Sequence, residues 1–398
     1  MPARLLRLQA LALSLAIAAC GDSGGAPAPP QFSLAISRTE GTPIPGAEEW
    51  RWVPFADAIC TDAVPDSSGR YHFGTSTTGL AIRWGAATST DLVVFLQGGG
   101  ACWEYVTCGG AAPLVDKTAS VGPFGPAEFA RDVYDRYPRS WIRRANAPAP
   151  LRDATIVFVP YCTGDVHAGD RVTTYRSIIP GVEPITWHHV GRANLLAFLR
   201  RLGPTFPRPG RLVVAGSSGG GFGALANYPE VRARWPDAKA YLVDDSAPPL
   251  EGDAIPPVTR AGWYASWNLG VSLDGFCPEC RTDFSGTLRQ ILRRFPGDRV
   301  ALMSRLHDEV IRGFFGTITL TPSPALTPMP AARFEAELRR LGVDVVDPAS
   351  PNGRFFFSGG DHHPTLDDPG AVSTPSPGLA AWLDLMLSDA PDWRSASD

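Results

Sequence analysis

Leu212-Val213-Val214-Ala215-Gly216-Ser217-Ser218-Gly219-Gly220 runs from an unbroken apolar stretch into a glycine-flanked serine, and the helix-compatible residues 222–228 follow it. An apolar run without polar alternation suits a strand buried on both faces. G-x-S-x-G between such a strand and a helix is the sequence form of a nucleophile elbow, a sharp turn that holds a serine hydroxyl at a helix N-terminus. Glycines flank Ser218 because a strained turn needs backbone freedom and leaves no room for neighbouring side chains. Alone, the pattern also fits a glycine-rich turn. The strand before it and the helix after it favour the nucleophile.

Outward from the elbow, further short apolar runs recur at 92–96, 155–159, 240–243, 300–303 and 355–357. Between the run at 155–159 and the elbow, Leu195, Phe198, Leu199 and Leu202 fall on one helical face, and Leu379, Trp382, Leu383 and Met386 repeat that stripe near the C-terminus. Strands alternating with helices predict an α/β domain with a mostly parallel, doubly wound sheet. One domain is expected over 31–398. Two Pro/Gly-rich insertions, about 111–152 and 248–298, are too long for ordinary connections and are expected to fold over one sheet edge as pocket walls.

A serine hydroxyl near neutral pH needs a base, and in this architecture the acid and the histidine follow the serine in that order. His307, His362 and His363 are the histidines after Ser218. The pair His362-His363 follows Gly359-Gly360-Asp361 directly after the 355–357 strand, where a loop could carry an imidazole over the serine. A solvated turn, or a metal site with Asp361, is the bland alternative. Asp308 lies beyond the 300–303 strand, at the carboxyl end where open α/β sheets build their sites, and Asp245 after the 240–243 strand competes with it. Gly98-Gly99-Gly100-Ala101, after the 92–96 strand, can turn N–H groups toward a developing oxyanion, and the Gly219 N–H can add another. A triple glycine can also bind phosphate, but neither a P-loop lysine nor a dinucleotide fingerprint accompanies it.

The 398 residues are 44% hydrophobic and 19% charged, which excludes wholesale disorder and a polytopic membrane protein. A net charge of −4 with no dense basic run excludes nucleic acid as a partner. Arg4 and Arg7, the apolar stretch 8–19 and the lipobox-like Ile17-Ala18-Ala19-Cys20 predict a lipoprotein signal over 1–20 with Cys20 lipidated, or else an ordinary secretory signal. Residues 21–30 read as a flexible tether, with the fold beginning near Gln31. The expected address is the bacterial cell envelope, lipid-anchored at the outer membrane or cell surface, or secreted. Beyond Cys20, an even set of cysteines remains at 60, 102, 108, 162, 277 and 280, which in an exported chain favours disulfides. Cys277-Pro278-Glu279-Cys280 could be half a zinc site, but no second ligand pair is evident nearby, so a local disulfide is expected.

Together these motifs resemble the pectin acetylesterase/Notum family of serine carboxylesterases. Phe95-Leu96-Gln97-Gly98-Gly99-Gly100-Ala101-Cys102-Trp103 is similar to its oxyanion segment, Gly216 to Gly220 to its elbow, and Cys60-Thr61-Asp62 and Tyr161-Cys162-Thr163-Gly164-Asp165 to two of its cysteine segments. The resemblance implies an α/β-hydrolase-like fold with loop and cap insertions, Ser218 as nucleophile, Asp308 as acid and His363 as base. His363 fits better than His362 because Thr365 and Leu366 follow it. It implies Gly99, Gly100, Ala101 and Gly219 as oxyanion donors and Trp103 as a pocket residue. The expected disulfides are Cys60–Cys162, Cys102–Cys108 and Cys277–Cys280. Gln97 stands where the family has Glu, and Ala101 where it has Trp, which touches the pocket entrance more than the reaction. The implied function is removal of an acyl group, acetyl by preference, from an ester such as a polysaccharide. The alternatives are a deacylase of fatty-acyl substrates and a non-catalytic surface-binding lipoprotein. No metal or organic cofactor is implied, the ester substrate is the expected partner, a monomer is expected, and membrane contact is expected only through the lipid.

Overall fold

A ten-stranded mixed sheet runs through the computed structural model, which describes residues 34–65, 71–108, 122–177, 180–319, 325–346 and 351–398. The signal segment 1–20 with Cys20, and the tether 21–30, lie outside the described residues. Across the sheet the strands are Thr42–Ile44, Ala47–Pro65, Tyr71–Arg83, Thr155–Val159, Leu92–Leu96, Arg211–Ser217, Lys239–Asp245, Arg299–Arg305, Gly353–Ser358 and Ala396–Ser397. The first three join antiparallel, ending against Thr155–Val159, and every later pairing is parallel.

Each apolar run expected to be a strand is one. Their side chains alternate between two cores, as a pleated sheet requires. Val94, Leu96, Val157, Val214, Leu242 and Leu302 face one cluster, joined by Leu195, Phe198, Leu199 and Leu202 of the helix Gly191–Thr205. Val93, Phe95, Ile156, Phe158, Val213 and Met303 face the other, with Leu379, Trp382, Leu383 and Met386 of the helix Leu379–Leu387. Burying each such large side chain contributes about 1.5–3 kcal/mol. Helices therefore cover both faces, and Leu34–Asp398 forms one compact unit. Among the described residues no helix is long and apolar enough to cross a membrane.

Strand order places the site. From Leu92–Leu96 the chain passes to Thr155–Val159 on one side, and Arg211–Ser217 then pairs on the other side of Leu92–Leu96. The order thus reverses between Leu92–Leu96 and Arg211–Ser217. Ligands of open α/β sheets bind in the crevice at the carboxyl ends of the strands at such a reversal. The triglycine loop and the elbow leave those two ends.

The described part of the first insertion does not wall the pocket: Phe124, Phe129, Val133, Trp141, Ile142 and Leu151 pack on the opposite face, against side chains such as Phe95 and Phe158 that point that way. The insertion at 248–298 does supply pocket walls. The long antiparallel strands Ala47–Pro65 and Tyr71–Arg83 were not expected from the sequence. Glu48, Glu49, Arg51 and Pro54 in the first, and a register shift between Phe55 and Ile59, hide any period-two pattern.

Candidate active site

Ser218 has φ 58° and ψ −127°, a conformation a non-glycine residue adopts only when its surroundings impose it. The turn fits only because its neighbours lack side chains. A Cβ on Gly216 would stand 2.1 Å from the Gly220 carbonyl oxygen, and one on Gly220 would stand 2.0 Å from that of Leu96. The Ser218 N–H donates to the Asp245 carbonyl at 2.8 Å, and the helix Gly219–Arg234 starts directly after.

Asp308 and His363 meet. The strand Arg299–Arg305 delivers Asp308 to the N-terminus of the helix Glu309–Phe314, where its Oδ1 accepts from the N–H groups of Val310 at 3.1 Å and Ile311 at 2.9 Å. That cap orients the buried carboxylate, and its Oδ2 lies 2.8 Å from Nδ1 of His363. Burial, the largest influence, pushes the imidazole down, but the hydrogen bond and charge of Asp308, with the charges of Asp245 and Asp367, hold it above its ordinary value. Nε2 is then the nitrogen left for a reacting group. His362 is exposed, and His307 pairs with Glu335 at 2.8 Å.

Asp245, the competing acid, does something else. Its carboxylate accepts from the hydroxyls of Ser217 at 2.8 Å and Ser246 at 3.0 Å, from the Thr365 N–H at 3.1 Å and hydroxyl at 2.5 Å, and from the Leu366 N–H at 2.9 Å. It fastens the loop that carries His363 to the elbow. Nearby, burial and then the Asp245 charge push the Asp367 carboxyl up to about 7.

The triglycine loop is clamped from behind. The Tyr161 hydroxyl donates to the Gly100 carbonyl at 2.9 Å, and the Gln97 side-chain oxygen accepts from the Tyr161 N–H at 3.0 Å. His167 Nε2 lies 2.8 Å from the Gln97 carbonyl. Burial lowers His167 to about 4, so the ring is neutral and Nε2 carries the proton given to that carbonyl. The sequence offered Tyr161 only as a neighbour of Cys162 and His167 not at all. His167 adopts a positive φ of 58°, which histidine tolerates better than most side chains but which its sequence neighbours do not announce.

Gly100, Ala101, Ser218 and Gly219 line one cavity, of about 730 Å³ with its open mouth included. Gly99 and Trp103 are not in its lining. Trp103 instead packs behind it, its ring 5.5 Å from Trp263 and 6.5 Å from Phe314, both of which are in the lining. The remaining walls are almost wholly apolar, among them Phe222, Leu225, Trp267, Leu273, Phe284 and Phe315. Apart from the two indole N–H groups, Thr287 is the other polar side chain besides Ser218 among the described lining residues.

No protein-family model matches this sequence, and no curated protein matches it. Among solved structures it is similar to the Wnt deacylase Notum from Drosophila, with a TM-score of 0.54 and 16% identity over 86% of this chain and 96% of that one. The fold is α/β-hydrolase-like.

Within this α/β-hydrolase-like fold the six cysteines pair as Cys60–Cys162, Cys102–Cys108 and Cys277–Cys280. Cys277 and Cys280 therefore present no thiolates to zinc. Cys102, Cys108 and His189 lie within 4.8 Å of one another, but the two sulfurs are bonded together. The His189 nitrogens are engaged by the Tyr175 hydroxyl and the Thr163 carbonyl, so this trio is not a ligand set.

Proposed function

We propose that this chain is a serine carboxylesterase of the pectin acetylesterase/Notum type that removes apolar acyl chains longer than acetyl. The observation that carries the reading is the apolar cavity opening on Ser218, beside a loop that Asp245 fastens to the elbow and on which His363 is oriented by Asp308. In the proposed reaction Ser218 Oγ attacks the acyl carbonyl and its proton passes to Nε2 of His363. The imidazolium is stabilised by Asp308 through Nδ1. Negative charge on the carbonyl oxygen meets N–H groups of the Gly99 to Ala101 loop and of Gly219, one such donor typically supporting about 2.7–4 kcal/mol of transition-state stabilisation. Collapse breaks the bond to the alcohol oxygen, which takes the proton from His363. Water, deprotonated by the same base, then hydrolyses the acyl-enzyme.

Acetyl would leave most of the cavity unfilled, so the cavity favours the fatty-acyl alternative over the acetyl preference drawn from the sequence. Each methylene buried contributes about 0.8 kcal/mol, so kcat/KM should rise about fourfold per added methylene until the cavity is full. A series of nitrophenyl esters from acetate upward tests this. A maximum at acetate would contradict the chain-length assignment while leaving the chemistry standing. The lipobox-like segment ending at Cys20 supports placing the enzyme on a lipid anchor at the bacterial envelope. Mass spectrometry of the mature N-terminus decides between a lipid and a plain cleaved signal.

A further inference from the structure

Two tryptophans of the helix Pro257–Trp267 stack in parallel in the cavity wall, Trp263 and Trp267, with ring centroids 5.7 Å apart and planes 5° apart. Their N–H groups differ. Trp267 Nε1 donates to the Cys102 carbonyl at 2.7 Å in a buried bond, whereas Trp263 Nε1 is buried with no hydrogen-bond partner among the described residues. Cys102 directly follows Ala101, the last residue of the oxyanion loop, and its own N–H donates to the Gly164 carbonyl at 2.9 Å. Beside it the Ser266 hydroxyl donates to the Trp103 carbonyl at 2.7 Å.

We infer that Trp267 is a positioning residue that couples the acyl wall to the oxyanion loop, an inference that rests on the esterase reading above. Its ring faces the acyl chain while its N–H, with the Ser266 hydroxyl, fixes the backbone that aims the Ala101 and Gly100 amides. Packing of a chain against Trp267 is therefore transmitted to the donors that stabilise the transition state. Binding energy gained far from the carbonyl is then expressed in kcat and not only in KM.

The stacked pair supplies its own comparison. Trp263→Phe and Trp267→Phe shrink the same wall by the same amount, but only the second deletes a hydrogen bond. The readout is kcat and KM for an acetate ester, whose two-carbon acyl group makes the least contact with the wall, and for a long-chain ester. Misaiming a catalytic group by about 1 Å can cost on the order of 100-fold, so Trp267→Phe should lower kcat for the acetate ester about 10- to 100-fold below that of Trp263→Phe, with KM within about threefold. Ser266→Ala, at a residue outside the cavity lining, should show the same kcat signature more weakly. Equal acetate kcat values in the two tryptophan variants would overturn the positioning role, and a wild-type kcat for the long-chain ester no higher than for the acetate ester would overturn the transmission of chain packing to the donors. If Trp267→Phe fails to fold by thermal melt, Ser266→Ala decides: lowered kcat at unchanged KM supports the coupling, and wild-type kcat overturns it. Fluorophosphonate labelling of the wild type separates the two levels. An unlabelled wild type sinks the esterase reading itself, whereas a labelled wild type with matched tryptophan variants sinks only the coupling.

Discussion

The Ser217 hydroxyl donates to the Asp245 carboxylate at 2.8 Å, one residue before the proposed nucleophile. The same carboxylate holds Thr365 and Leu366, just beyond His363. Asp245 thus joins two loops that approach each other from strands separated by Arg299–Arg305 and Lys239–Asp245 in the sheet. Asp245→Ala should leave several buried donors unpaired, each costing roughly 1–3 kcal/mol. A large fall in the midpoint of chemical denaturation is the expected outcome. An unchanged midpoint would mean these bonds are replaceable by water.

His363 must be neutral to take the serine proton, and the structure holds its pKa above the ordinary 6.5. The acid limb of kcat/KM is therefore expected above that value. Asp308→Asn removes the main influence opposing burial, so the limb should move to lower pH while kcat falls about 10³- to 10⁴-fold. A pH–rate profile of the residual activity checks both. A limb that stays in place would show that another group titrates there.

Asp367 binds its proton more tightly folded than unfolded, at about 7 against an ordinary 3.8. Its contribution to stability is fully present below about pH 4 and is lost as pH rises through about 7. Asp367→Asn should therefore raise Tm relative to wild type at pH 8 and change it little at pH 4. Equal Tm differences at the two pH values would contradict the assignment.

Much of this architecture is legible in the sequence because the parallel strands are apolar throughout. Leu92–Leu96 and Thr155–Val159 are bounded as their residues suggest, whereas strand ends alone offer both Asp308 and Asp245, and the pairing of Asp308 with His363 is the one that the resemblance implies. What stays hidden depends on tertiary contact. The role of Asp245 rests on donors that lie 28, 120 and 121 residues away in the chain. The clamp of Tyr161 on Gly100 spans 61 residues, and the direction in which the first insertion packs depends on which sheet face its aromatics find. The apolar size of the cavity comes from separate helices, and neither the elbow nor the triglycine loop announces it.

The cavity can be closed from the elbow helix. Ala226 of Gly219–Arg234 is in its lining, and Ala226→Phe would put a ring where the acyl chain is proposed to lie. Long-chain esters should lose most of their advantage, about fourfold for each methylene excluded, while the acetate ester is spared. Chain-length profiles of kcat/KM read this out. A profile that simply scales down at every length would place the chain elsewhere.

Active-site titration with a fluorophosphonate, followed by peptide mapping, asks whether Ser218 is a nucleophile activated by His363 and Asp308. One adduct per chain is expected, on Ser218, with no adduct in Ser218→Ala and strongly slowed labelling in His363→Ala. An unlabelled wild-type protein, an adduct on another serine, or ester turnover in Ser218→Ala equal to wild type would contradict it.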